Sequence, residues 1–183
     1  MRPLIYTAIA SLDGYVADSS GNFDWSAPDE EVHAFINDLE RDARTHLYGR
    51  RLYEVMAVWE TMGGPGEPEV IQDYARIWRG AEKIVYSSTL AGAGTARTRI
   101  EREFNPDAVT ELKAGAGGSI SGATLAAAAL RAGLVDECCI FLSPVAVGGG
   151  LRFLPEGLNL QLDLLDERRF GNGVVYLRYR VLS

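Results

Sequence analysis

The chain has 183 residues, 47% of them hydrophobic and 23% charged, which is the size and mix of one globular domain with a core; a disordered tail, a collagen-like repeat and a disulfide-stapled miniprotein are excluded. Its 18 Lys and Arg stand against 25 Asp and Glu, and the resulting charge of -7 argues against a nucleic-acid-coating surface or a polybasic membrane anchor, both of which need excess cations. The longest apolar stretch, Ala123 to Val135, carries Thr124 and Arg131 and is too short to span a bilayer, and with no secretory signal visible a cytoplasmic protein is expected.

Leu4 to Ala10 is apolar and rich in β-branched residues, and reads as a buried strand ending in a polar loop. Ser26 with Asp29 three residues on makes a capping-box pattern, with Pro28 in the first turn. Val32, Phe35, Ile36, Leu39 and Ala43 then give the single apolar stripe of a helix. A short strand at Thr45 to Tyr48 leads through Gly49 to a helical stretch at Arg51 to Val58. Met62 to Pro68, with three Gly and two Pro, is a loop. Val70 to Trp78 reads as helix, Lys83 to Tyr86 as strand, and Arg97 to Phe104 as a weaker strand. Gly115, Gly117 and Gly118 precede another short strand, and Thr124 to Ala132 is an alanine-rich helix closed by Gly133.

Glu137 to Val147 is a nearly continuous apolar strand, expected to be buried on both faces. It holds the only two cysteines, Cys138 and Cys139; being adjacent, they fit neither a disulfide framework nor a CxxC site and are expected as small buried hydrophobes. Leu158, Leu160, Leu162 and Leu164 alternate with polar residues as a half-buried strand, and Gly171-Asn172-Gly173 turns the chain into a terminal hairpin at Val174 to Leu182. No linker or repeat divides the chain, so residues 1–183 are expected to form one domain. The pattern predicts an α/β fold in three layers, with a mixed, mostly parallel sheet and a C-terminal antiparallel hairpin.

The common phosphate motifs are missing. Ile120 stands where GxGxxG after Gly115 needs glycine, and Ala123 occupies the lysine position of a Walker A loop spaced from Gly117. There is no HExxH, no GxSxG and no EF-hand loop, and with His33 and His46 isolated no metal site is expected. What remains is a set of loops following strands, the places where open α/β sheets bind ligands. In Tyr48-Gly49-Arg50-Arg51 a glycine admits a close backbone approach and arginine offers a fork of donors to phosphate. Ser87-Ser88-Thr89 is a run of hydroxyls, and Ser121-Gly122-Ala123-Thr124 opens a helix whose dipole would face an anion. Taken singly, each also fits a surface arginine, a turn or a tight bend.

As an ordered set these segments resemble the dihydrofolate reductase-like family, and within it the branch containing the C-terminal reductase domain of bacterial riboflavin biosynthesis. The matching residues are Ala10-Ser11-Leu12-Asp13-Gly14-Tyr15-Val16-Ala17, Tyr48-Gly49-Arg50-Arg51-Leu52-Tyr53-Glu54, Lys83-Ile84-Val85-Tyr86-Ser87-Ser88-Thr89-Leu90, Ile120-Ser121-Gly122-Ala123-Thr124-Leu125, and Gly133-Leu134-Val135-Asp136-Glu137 running on to Pro144 and Gly148-Gly149-Gly150. They keep the family's order and cover nearly the whole chain. The resemblance implies a dihydrofolate reductase-like fold and an oxidoreductase that passes hydride from NADPH to a small nitrogen heterocycle, folate-like or pyrimidine-like. By the same resemblance Gly49, Arg50 and Arg51 face the adenosine end of the cofactor. Ser87, Ser88 and Thr89 lie near its 2′-phosphate, and Ser121, Gly122, Ala123, Thr124 and Leu125 cradle the pyrophosphate. A homodimer is also implied, together with the apolar strand Cys138 to Val147. The alternative is an NADP-binding module without significant reductase activity.

Hydride transfer to a C=N bond needs a proton at nitrogen and a group that orients the ring. Asp13, in the Ser-Leu-Asp-Gly motif at the end of the first strand, is the catalytic candidate; a turn residue bonding local N–H groups is the equal alternative. Asp29 sits where folate reductases place a helix carboxylate, but its fit to the capping box favours a structural role. Trp25 and Trp59 are candidate walls for a flat substrate, although core packing is the commoner fate of a tryptophan. Departures from the resemblance are the lack of H-x-E and P-C-x-x-C deaminase motifs, Ser121 where relatives often carry glycine, and the lack of a basic Asn-Pro segment between Gly14 and Asp42. The last of these puts a phosphoribosyl substrate in doubt.

Overall fold

The computed structural model describes residues 2–182, so Met1 and Ser183, the two ends of the expected domain, lie outside the described residues. Strand β1 (Leu4–Ser11) sits in the sheet interior and turns Leu4, Tyr6 and Ala10 to one face and Ile5 and Ile9 to the other, which is why its sequence is apolar almost throughout. A short β2 (Tyr15–Ala17) and a 3-10 turn at Asp24–Ser26 lead to helix α1 (Glu30–Glu40). The cap is not the one expected. Asp29 is itself the N-cap, its Oδ1 accepting from Val32 N at 3.0 Å, while Ser26 donates to the Phe23 carbonyl at 2.7 Å inside the preceding turn.

The chain continues through β3 (Thr45–Gly49), α2 (Arg50–Met56), a 3-10 turn (Ala57–Glu60), α3 (Glu69–Gly80), β4 (Glu82–Tyr86) and β5 (Thr98–Glu101). Helix α4 (Pro106–Ala114), absent from the sequence reading, is started by Asn105, whose side chain accepts from Asp107 N and Ala108 N, with Pro106 in the first turn. Then come β6 (Gly118–Ser121), α5 (Ala123–Arg131), β7 (Glu137–Ser143), β8 (Leu151–Arg152), β9 (Gln161–Arg169) and β10 (Val175–Leu182). Two strands are shorter than expected and one, β9, is shifted along the chain to Gln161–Arg169. β5 covers half of Arg97 to Phe104. β7 stops at Ser143, where Pro144 lacks a ladder donor and Val145 N turns back to the Ser143 carbonyl. β9 starts at Gln161, because Leu158 and Leu160 are spent packing on the core.

Among the described residues the main sheet has eight strands in the order β5, β4, β3, β6, β1, β7, β10, β9. The first six are mutually parallel; β10 runs antiparallel to β7, and β9 antiparallel to β10 with a bulge at Arg178/Tyr179. On one face α4 and α5 bury Val109, Leu125, Ala126 and Ala129 against Leu4, Tyr6, Leu47, Ile84 and Ile120. On the other, α1 packs Val32, Phe35 and Ile36 against Phe141 and Tyr176, and α2 packs beside Tyr48 and Val85. The three-layer α/β/α architecture is thus as the sequence predicts. No helix among the described residues is long and apolar enough to cross a membrane.

Six parallel strands have one consequence for chemistry: their carboxyl ends lie along a single rim. The register shows it, with Ser11 beside Ser143, Tyr48 beside Ser121 and Gly49 beside Tyr86.

Candidate functional site

The loops singled out in the sequence all leave this rim, and three of them touch. Arg50, the first residue of α2, donates from Nη1 to Thr89 Oγ1 at 2.7 Å and from Nε to Glu54 Oε1 at 2.8 Å. Gly49 and Gly122 bring the ends of β3 and β6 together: a Cβ at Gly49 would lie 3.9 Å from Leu125 Cβ, and one at Gly122 would lie 3.6 Å from Leu52 and 4.0 Å from Gly49 N. Gly122 has φ +94, a backbone conformation that other residues rarely adopt, so the bend entering α5 requires glycine. No side chain caps α5, and the amides of Ala123, Thr124 and Leu125 are the ones that an α-helix leaves without intrahelical partners. Ala123 and Leu125 are buried beneath the exposed Thr124. Ser121, half-buried, reaches only the Thr7 carbonyl at 3.5 Å.

The hydroxyl run divides its work. Ser87 is buried and its Oγ accepts from Thr89 N at 3.3 Å and Leu90 N at 3.0 Å, so it shapes the turn that presents the exposed Ser88 and Thr89. Arg102, just past β5, was not expected. Its Nη1 donates to the carbonyls of Ser87 at 3.1 Å and Leu90 at 2.6 Å, adding a guanidinium to the same loop. Its only sequence signal is its place at a strand end. Among the described residues neither Arg102 nor the exposed Arg51 is in a salt bridge, whereas Arg50 is paired with Glu54. These donors, over a rim whose other charges are largely paired, suit an anion with more than one charge.

Asp13 occupies a second part of the rim. Ser11 Oγ donates to its Oδ1 at 2.6 Å, Val147 N to Oδ1 at 3.1 Å, and Gly148 N to Oδ2 at 2.7 Å. Those bonds, the one from Ser11 first and that from Gly148 next, hold the carboxyl below its usual range, so it is ionised at neutral pH. They tie the loop after β1 to the Gly-rich segment after β7. That segment also closes against Ala17 and Asp18, leaving no room for a side chain at Gly150.

Next to this loop, on the α1 face, lies a cavity of about 200 Å³ lined by residues including Ile9, Trp25, Pro28, Val32, Ser143 and Asn172. The structure therefore places Trp25 at the rim. Trp59 is elsewhere: it packs at 4.6 Å from the Tyr74 ring and 5.8 Å from that of His33, in an aromatic cluster away from the cavity lining. Asp29, next to Pro28, is committed to capping α1. Among the described residues no cluster of three or more His, Cys, Asp or Glu is placed to hold a metal ion.

Comparison with known proteins gives one family and one fold. The RibD C-terminal domain matches residues 2–176. The uncharacterized protein YyaP of Bacillus subtilis (strain 168) is 26% identical over 184 residues, covering 97% of this chain and 94% of its own. Among solved structures, a putative riboflavin biosynthesis protein from Shewanella sp. PV-4 superposes with a TM-score of 0.75 at 19% identity, over 99% of both chains. The diaminohydroxyphosphoribosylaminopyrimidine deaminase/5-amino-6-(5-phosphoribosylamino)uracil reductase of Thermotoga maritima gives 0.67 at 14% identity; the match covers 99% of this chain but 57% of that one.

Proposed function

The chain belongs to the RibD C-terminal domain family, and from that premise we propose that it is an NADPH-dependent reductase of a small nitrogen heterocycle, folate-like or pyrimidine-like. The observation that carries the reading is the contact among three strand-end loops, through the Arg50–Thr89 bond and the Gly49/Gly122 approach. The residues present fit a phosphorylated dinucleotide. Gly122 makes the φ +94 bend that enters α5, and the amides of Ala123, Thr124 and Leu125 offer donors to a pyrophosphate at a helix N-terminus. Arg50, Arg51, Ser88 and Thr89 supply the fork and hydroxyl donors that a 2′-phosphate takes up, which favours NADPH over NADH.

Bound there, the cofactor supplies a hydride. The chain's own part is to offer donors that would hold the cofactor's phosphates and to keep Asp13 ionised. Asp13 holds the backbone of Val147 and Gly148 in the segment that follows the cavity-lining Ser143 and Pro144. Trp25 lines the cavity itself. We place the protein in the cytoplasm as a homodimer. Strand β7 cannot supply the dimer edge, because β1 and β10 flank it; the exposed Leu164 and Leu182 of the C-terminal hairpin are the surface that supports the pairing.

One observation favours a second reading. With its carboxylate fully engaged and its proton affinity lowered, Asp13 is a poor proton donor at neutral pH, as expected of an NADP-binding module without significant turnover. Calorimetric titration with NADPH, followed by a panel of dihydrofolate and aminopyrimidine substrates monitored by loss of reduced-nicotinamide absorbance, separates the two. Binding with oxidation supports the reductase, binding without oxidation supports the module, and the absence of heat on adding NADPH removes both.

A further inference from the structure

We infer that the cavity beside β1 takes a single uncharged six-membered heterocycle and rejects both a phosphoribosylated ring and a two-ring pterin with its tail. The inference rests on the reductase reading for what the site is for, but not for whether it binds. Size is the first argument. The cavity holds about 200 Å³. A cavity of about 150 Å³ accommodates one benzene ring, and pockets for drug-sized ligands start near 300 Å³. One ring with two or three small substituents fills this space and a second fused ring exceeds it, while a ribose phosphate has to project through the open mouth beside the exposed Ala27.

Charge is the second argument. Among the described residues no lysine, arginine or histidine lines the cavity. The titratable residues adjoining the lining in sequence are Asp24, beside Trp25, Asp29, beside Pro28, and Glu31 and His33, on either side of Val32; His33 packs with Asn37, Trp59 and Tyr74, and Glu31 is bonded to Gly171 N at 3.1 Å and to Arg168 at 3.1 Å. The one guanidinium nearby is thus already neutralised, and the local balance is acidic. A phosphate dianion brought here would lose its hydration without gaining a cation, at a cost that its ring contacts do not offset.

The polar groups present suit a ring with amino and carbonyl substituents. Ser143 offers a hydroxyl, and Asn172, whose Oδ1 accepts from Val174 N at 3.0 Å, retains an amide NH₂ group to donate. The indole Nε1 of Trp25 is buried without a partner among the described residues, a donor that a ring carbonyl would satisfy on modest repacking of its short 3-10 turn. Pro28, Val32 and Ile9 supply flat apolar contact.

The test is binding to the whole protein by calorimetry, with diaminouracil, its phosphoribosylated counterpart and dihydrofolate as probes, with and without NADPH. Diaminouracil is expected to bind at least tenfold more tightly than either of the others. Ala27→Arg, at an exposed lining position in the loop before α1, is expected to tighten the phosphoribosylated compound at least tenfold while leaving folding and NADPH affinity unchanged. Equal or tighter binding of the phosphoribosylated compound to the unaltered protein, binding of none of the probes, or no gain in Ala27→Arg would each overturn the inference. Oxidation of NADPH with the phosphoribosylated compound alone would leave the reductase reading standing while this inference fell.

Discussion

Replacing Glu40 by glutamine should stabilise the protein above pH 7 and have no such effect in acid. Glu40 ends α1 and is buried against the sheet, with Ser119 Oγ at 3.2 Å from its Oε1 and His46 Nδ1 at 3.4 Å from its Oε2. Burial pushes its carboxyl up from 4.5 to about 7, with the bonds from Ser119 and Thr7 pulling the other way. The folded protein therefore holds this proton more tightly than the unfolded chain does. The resulting stability is complete below pH 4.5 and is lost as pH rises through 7; at about 1.4 kcal/mol per pH unit the loss is about 3 kcal/mol.

His46 acts with the opposite sign. Burial, and then the charge of Lys83, push it down from 6.5 to about 4, so its contribution is present above pH 6.5 and is lost as pH falls through 4. In the unaltered protein the two slopes oppose one another between these limits. In Glu40→Gln only the histidine slope remains, and stability should fall steadily as the solution is acidified. Above pH 7 the variant should gain up to about 3 kcal/mol, or roughly 6–12 °C in Tm for a chain of this size. Urea unfolding across the pH range measures both. A variant no more stable than the parent above pH 7 would show that the Glu40 carboxylate is accommodated in the core and that the reasoning is wrong.

Three further outcomes follow from the rim. Arg50→Ala should weaken NADPH by at least tenfold more than NADH, since a charge-assisted bond contributes about 1.5–3 kcal/mol; equal losses in paired titrations would show that Arg50 does not read the 2′-phosphate. Gly122→Ala forces a side chain into φ +94 and should cost about 1–3 kcal/mol of stability while weakening NADPH, and an unchanged urea midpoint would refute the strain argument. Asp13→Asn should lower kcat with little change in NADPH affinity and should make the Val147–Gly148 segment more open to limited proteolysis; an unchanged rate would remove Asp13 from the chemistry.

Much of the architecture was legible because burial writes itself into periodicity. Leu4 to Ala10 is apolar throughout because both faces of β1 are covered, and Val32, Phe35 and Ile36 recur as one stripe because α1 has a single buried side. Helix α4 was missed because Pro106, Asp107 and Glu111 hide a weakly apolar stripe, although Asn105-Pro106 is a start signal. The α1 cap was misplaced by three residues because Ser26 and Asp29 are both good caps, and the preceding 3-10 turn decides between them.

The candidate site was legible only in part. Gly49, Arg50, Thr89 and Gly122 stand at strand ends, where local composition marks a loop with unusual chemistry. Arg102 and the embrace of Asp13 by Val147 and Gly148 join positions far apart in the chain, and no local pattern reports them.

By itself, then, the sequence determined most of the strands and helices, α4 excepted, the faces they bury, and that glycine, arginine and hydroxyl residues follow the strands, because each of these is set within a few residues by backbone sterics and hydrophobic spacing. Only the tertiary structure decided that those loops touch one another, that Trp25 lines a cavity while Trp59 does not, and that Asp13 is bound by a distant backbone. Such relations are fixed by strand order and crossover, which depend on how the whole chain closes its core.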